Sequence, residues 1–192
     1  MQHAETALLT NTEEGRSFLQ RRVARFGLMA ALLGGVFLAL RFAIIGVYRG
    51  TGVGVDPGIL PHVLAVCSLG AIWLLCRSSP RTVRFIRTTE AVGLLLACAF
   101  YAIMGITLPK VVMPHLIVIL AVGLGLMARA IYVPSSGRRT LILTVLSGVP
   151  VIVSTYWMYH DLDVDRWRAV DPDIDVLGAA GVTWLRVVFA AV

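Results

Sequence analysis

Charge is what this sequence has least of. Only 15% of its 192 residues are Asp, Glu, Lys or Arg, and 58% are hydrophobic, whereas soluble domains run at about 25% and about 45–50%. That scarcity excludes an ordinary water-soluble domain and is the composition of a membrane protein. No stretch has the polar mixture of a second soluble domain; only the first 25 or so residues look wet. Lysine is reduced to Lys110, and no His-Arg-Asp or Asp-Phe-Gly triplet occurs, so these residues cannot perform kinase chemistry. Gly-x-Ser-x-Gly and His-Glu-x-x-His are also missing, which removes the common hydrolase and zinc-protease signatures. The first 25 residues contain no apolar run before a small-residue cleavage site, so no removable secretory signal is expected. Cysteine is limited to Cys67, Cys76 and Cys98, all in or beside apolar runs, and reads as a small lipid-compatible residue with no disulfide and no metal.

What is present is a series of apolar runs. A bilayer core about 30 Å thick needs about 20 apolar residues as helix, because lipid offers the backbone no hydrogen-bond partner. Such runs cover roughly 26–48, 59–76, 90–108, 115–133, 140–159 and, shorter, 176–192. They predict an all-α bundle of six transmembrane helices preceded by a basic, amphipathic lead-in over 1–25. Asn11 or Thr12 can cap that lead-in, with Glu13 and Glu14 at the positive end of its dipole, and the helix is expected to run straight into the first span. Seven of the eight prolines punctuate loops or span edges, and Pro150 alone lies mid-span, where a kink is expected.

Orientation follows from arginine and lysine in short loops, which stay on the cytoplasmic side. Arg16, Arg21, Arg22, Arg25, Arg77, Arg81, Arg84, Arg87, Arg138 and Arg139 fall on one side, and Arg49, Lys110, Arg166 and Arg168 on the other. This bias places both termini in the cytoplasm of a multi-pass protein of the inner (plasma) membrane. Tyr48, Tyr156, Trp157 and Tyr159 then mark outer edges, and Trp73 and Tyr132 inner ones, as an interfacial belt requires. The sequence pI near 9.8 would suit nucleic acid, but the basic residues lie beside apolar runs, which points to anionic lipid headgroups in the bilayer as the partner instead.

Within the spans, Ala31, Gly35, Ala39 and Ala43 recur every fourth residue and predict a packing face, within the chain or in a homodimer. Gly93, Ala97 and Gly105 form a similar stripe in the third span. Arg41 and Arg129 lie close enough to span ends to snorkel to headgroups. Arg186 is near mid-bilayer and, with Glu90 placed at the edge of its span, lacks an evident acidic partner; it is a candidate functional residue.

The acidic residues concentrate in HDLDVDRWRAVDPDID, residues 160–175, on the predicted outer side. Asp161, Asp163, Asp165, Asp171, Asp173 and Asp175 suggest a calcium loop. Counted from Asp161, however, position 6 is Arg166 where Gly is needed and position 12 is Pro172 where Glu belongs; counted from Asp171, the same positions are Val176 and Val182. An EF-hand is excluded, and no metal or other cofactor is expected. His62, His115 and His160 sit at the edges of three spans on the same predicted side, so these histidines and aspartates form a candidate sensing face for pH or a divalent ion. GTGVGV at 50–55 has the wrong spacing and context for a nucleotide loop.

EEGRSFLQRRVARFG leading into the first span, the arginine-rich loop RSSPRTVRFIRTTE, the turn YVPSSGRRT and the GVPV of the fifth span resemble the multi-pass N-terminal membrane region of certain bacterial serine/threonine protein kinases. The resemblance covers about residues 13–192 and implies a non-enzymatic sensor or anchor, with a kinase domain in cis beyond Val192. No catalytic position carries over, since every kinase motif is missing here. The alternative from another class is a small transporter or channel using Arg186 and the outer aspartates, for which repeated broken spans are the expected mark; none occurs.

Overall fold

The computed structural model describes residues 12–48, 56–108 and 114–159. These form five α-helices and no strand: α1 (Glu13–Tyr48), α2 (Ile59–Arg77), α3 (Val83–Thr107), α4 (Pro114–Tyr132) and α5 (Gly137–Tyr159). All five are long and apolar enough to cross a membrane. The sixth predicted span, 176–192, lies outside the described residues. The chain divides after Thr155 into two units, and the account below concerns the first.

Helix ends follow local chemistry. The Thr12 hydroxyl accepts from the Gly15 N–H at 3.1 Å, so the predicted lead-in helix is capped there and continues unbroken into the first span. At α2, Gly58 provides no side-chain cap; instead Asp56 Oδ1 accepts from the Gly58 N–H at 2.9 Å. Thr82 caps α3 by accepting from Phe85 N at 3.3 Å, which starts the helix seven residues before the predicted span. Pro114 opens α4, a position where the missing N–H would have no helical partner. Pro150 lies inside α5.

The core joins α1 to α4 through Val23, Phe26, Leu69, Ile72, Leu94, Ala97, Val118 and Val122, all buried. Ile72 is wedged between two glycines. A Cβ on Gly27 of α1 would lie 2.9 Å from Ile72 Cβ and 2.7 Å from Trp73 N, and one on Gly93 of α3 would lie 2.5 Å from Ile72 Cγ1. Gly93, Ala97 and Gly105 are all buried, in keeping with their predicted stripe.

On α1 the face in contact differs from the predicted one. Close approach is made by Gly27 and Gly34, whereas a Cβ on Gly35 would meet nothing within 4 Å, and Ala39 and Ala43 are exposed. Ala31 stands at ordinary distance from α2, 3.9 Å from a Cβ built on Gly70. The reason is the lead-in: Leu19, Val23 and Phe26 are buried, and their helical period carries the contact through Ala30 and Gly34, one position before the regular small-residue stripe.

Gln20 ties this lead-in to the following turn. Its Nε2 donates to the carbonyls of Cys76 at 2.9 Å and Ser79 at 2.7 Å, and its Oε1 accepts from Arg81 N at 3.0 Å. The C-terminal carbonyls of α2, which have no helical donors, are thereby partly satisfied from α1. The cysteines Cys67, Cys76 and Cys98 are free.

Candidate functional site

The antiparallel order of α1–α4 gathers polar groups at two opposite ends. At the end holding the start of α3, Arg87 and Glu90 share a face of that helix by their i, i+3 spacing. Glu90 is fully buried, and its carboxylate is surrounded by arginines. Arg129, in the last turn of α4, donates from Nε to Glu90 Oε1 at 2.7 Å. Arg139, near the start of α5, donates from Nη2 to Oε2 at 3.0 Å and to the Arg87 carbonyl at 2.7 Å. Arg87 Nη1 stands 3.6 Å from Oε2, and Arg87 Nη2 donates to the Pro134 carbonyl at 2.9 Å.

The turn between α4 and α5 completes this cluster. Arg129 Nη2 donates to Ser135 Oγ at 3.3 Å, and that hydroxyl lies 2.6 Å from Thr140 Oγ1. One carboxylate thus organises α3, α4, the turn and α5. With both oxygens occupied by guanidinium groups, it is unsuited to act as a general base or metal ligand. Its role is to neutralise Arg129, whose side chain is 1% exposed and which alone would carry the full cost of a buried charge.

Arg129 therefore does not snorkel, and the placement of Glu90 at a span edge understated its burial. The missed signal was a solitary acid in a neighbourhood of arginines. Arg41 does not snorkel either. At the opposite end it donates from Nε to Asp56 Oδ2 at 2.8 Å and from Nη2 to Oδ1 at 2.7 Å, and from Nη1 to the Gly58 carbonyl at 3.2 Å. A Cβ at Gly58 would press on this guanidinium, so a larger residue there would push the Arg41 side chain aside.

Beside this pair an elongated cavity of about 380 Å³ runs between α1, α2, α3 and α4. Its described walls are overwhelmingly apolar, and among the described residues its polar lining is Arg41, Asp56, His62 and Tyr101. His62 is 5% exposed, and both its ring nitrogens are buried, one facing the Gly34 carbonyl and the other without a hydrogen-bond partner. Its ring meets that of Tyr101 edge to face at 5.7 Å, and the Tyr101 hydroxyl lies close to Gly34, where a Cβ would come within 2.9 Å.

Of the predicted sensing face, His62 is thus buried at the cavity, while His115 lies in the first turn of α4 and is not among the cavity's lining residues. His160, Asp161, Asp163, Asp165, Asp171, Asp173, Asp175 and Arg186 lie outside the described residues. No group of three or more His, Cys, Asp or Glu side chains placed to hold a metal occurs among the described residues. Two features that sequence spacing did not single out, the Glu90 cluster and the cavity beside Arg41–Asp56, are the sites the fold assembles. No protein family, curated protein or solved structure matches this chain.

Proposed function

We propose that this chain is a non-catalytic, multi-pass membrane module that senses or anchors on behalf of a signalling kinase, with its N-terminus in the cytoplasm of a bacterial inner membrane. The observation that carries the reading is the cavity: it has the volume of a small-ligand site, about 300–1,000 Å³, and a polar end formed by Arg41, Asp56 and His62. Four helices line it, so occupancy bears on their packing together. The far ends of α3 and α4 converge on Glu90, beside the basic loops expected to face the cytoplasm. A transporter would need a polar path to a usable charge, and Glu90 is already committed to three arginines.

The codons following Val192 test the kinase association directly. An in-frame linker, a Gly-rich loop and a catalytic Asp support it; an immediate stop codon overturns it. Reporter fusions test orientation, with an active cytoplasmic reporter expected near Arg16 and an inactive one at residues 160–175; the reverse pattern overturns it.

A further inference from the structure

We infer that the cavity between α1 and α4 holds one hydrocarbon chain of a neutral amphiphile, with its hydroxyl head at His62. The inference rests on the sensor reading for its purpose and names the ligand class that reading requires.

The shape comes first. On α4 the cavity wall runs from Ile117 to Ala128, a rise of about 16 Å, roughly half the thickness of a bilayer core. A single extended chain fits such a cleft. Leu33 and Phe37 of α1, Met104 of α3 and Leu124 of α4 line the chain's path.

The polar end then selects the head. Arg41 and Asp56 neutralise each other through two charge-assisted hydrogen bonds, so among the described residues this end carries no unpaired charge. His62 offers one donor and one acceptor as neutral imidazole; its N–H faces the Gly34 carbonyl, and the other nitrogen, an acceptor, is buried without a partner. A buried polar group in that state costs free energy. A hydroxyl at the end of an apolar chain supplies the missing donor without bringing charge into the membrane. A fatty acid or a phospholipid would bring charge with it.

Two glycines of α4 make the test selective. A Cβ on Gly123 or on Gly125 meets nothing within 4 Å, yet only Gly125 lines the cavity. The full chain is reconstituted in phosphatidylcholine and phosphatidylglycerol vesicles with a diazirine-bearing long-chain alcohol, irradiated, and the attachment sites are mapped by mass spectrometry. Attachment is expected around the cleft in α1, α3 and α4. It should fall about tenfold in Gly125→Phe and stay at the parent level in Gly123→Phe, since the phenyl group fills ligand space only in the first. His62→Phe keeps the ring packing but removes the head's partner, and should lower attachment about fivefold or more.

Unlabelled hexadecanol should displace the probe, whereas palmitate and added phosphatidylcholine should not. Equal labelling of the two glycine variants, or labelling spread evenly over lipid-facing residues, overturns the site. Displacement by palmitate or phosphatidylcholine as effective as by the alcohol, or full labelling of His62→Phe, overturns the neutral-head assignment. Photolabelling needs no kinase partner, so these failures are distinguishable from failure of the signalling role, which the codons after Val192 decide.

Discussion

The two ends of the helical body handle buried charge in opposite ways. Around Glu90, one carboxylate serves three arginines, and the innermost pair is 0% and 1% exposed. At Arg41, one arginine meets one aspartate with side chains 15% and 18% exposed, and a histidine with an unpartnered nitrogen stands nearby at the same cavity. Both oxygens of Glu90 face guanidinium groups drawn from three segments, so the carboxylate holds those segments together. The Arg41 end places a buried polar group, His62, next to open space. The difference separates a fastening from a site better than the number of charges does, since the end richer in charge is the one with less chemistry available.

This contrast can be broken most severely at Glu90. Glu90→Gln leaves Arg129 buried with no counter-charge and should cost about 3–5 kcal/mol, read as a large loss of folded protein on thermal unfolding in detergent. A double-mutant cycle with Arg129→Leu should recover part of that loss, because the orphaned guanidinium is then gone. If Glu90→Gln unfolds like the parent protein, the fastening role is refuted.

Asp56→Asn comes next. It removes the charge from a bidentate pair that retains some solvent, and a loss of about 1.5–3 kcal/mol is expected, measured by the same unfolding experiment. A cost as large as that of Glu90→Gln would erase the distinction between the ends. Arg87→Gln is the milder probe of the Glu90 cluster: its contact with the carboxylate is the longest of the three, 3.6 Å. With Arg129 and Arg139 still neutralising the carboxylate, its loss, which includes the hydrogen bond to the Pro134 carbonyl, should cost about 1–2 kcal/mol, less than Glu90→Gln.

The smallest stability effect belongs to the Arg41 end. His62→Phe removes two buried nitrogens, one of them unpartnered, while preserving an aromatic ring against Tyr101, so stability should be unchanged or slightly higher, within about 1 kcal/mol. A marked destabilisation would show that His62 is itself a fastening. Together with the labelling loss expected above, a neutral effect on folding is the signature of a group kept for binding.

Much of the fold was legible in sequence for simple reasons. Apolar runs, prolines and arginine-rich turns bound α2, α4 and α5 closely, because lipid imposes length and composition on a helix. Thr12 and the two glutamates after it marked the start of α1. The beginning of α3 was less evident, since VRFIRTTE carries three charged residues; only burial of Glu90 against arginines 39 and 49 positions away makes that segment acceptable inside the body.

The sites themselves depend on rotation about helix axes, which one-dimensional spacing does not give. Ala31, Gly35, Ala39 and Ala43 had the regular period, but the buried face of α1 was fixed earlier, at Leu19, Val23 and Phe26. His62 was singled out for its place at the edge of a span. Its burial, and its proximity to Asp56 and Arg41, come from three different parts of the chain meeting at one end. Arg129 was visible as an arginine in an apolar run; its partner, on another helix, was not.

The continuity of α1 has a mechanical consequence. Its 36 residues make a rod of about 54 Å, far longer than the roughly 30 Å hydrocarbon layer, with no proline or break along it. Torsion applied beside Arg41 reaches Gln20 with little room to dissipate, and Gln20 grips the turn between α2 and α3. Adding one residue to the rod between those points would turn its far end by about 100°, uncoupling the two grips while leaving every span long enough to cross. The helix is thus a shaft as well as a span, and phase along it becomes a property that insertion or deletion can tune independently of hydrophobicity.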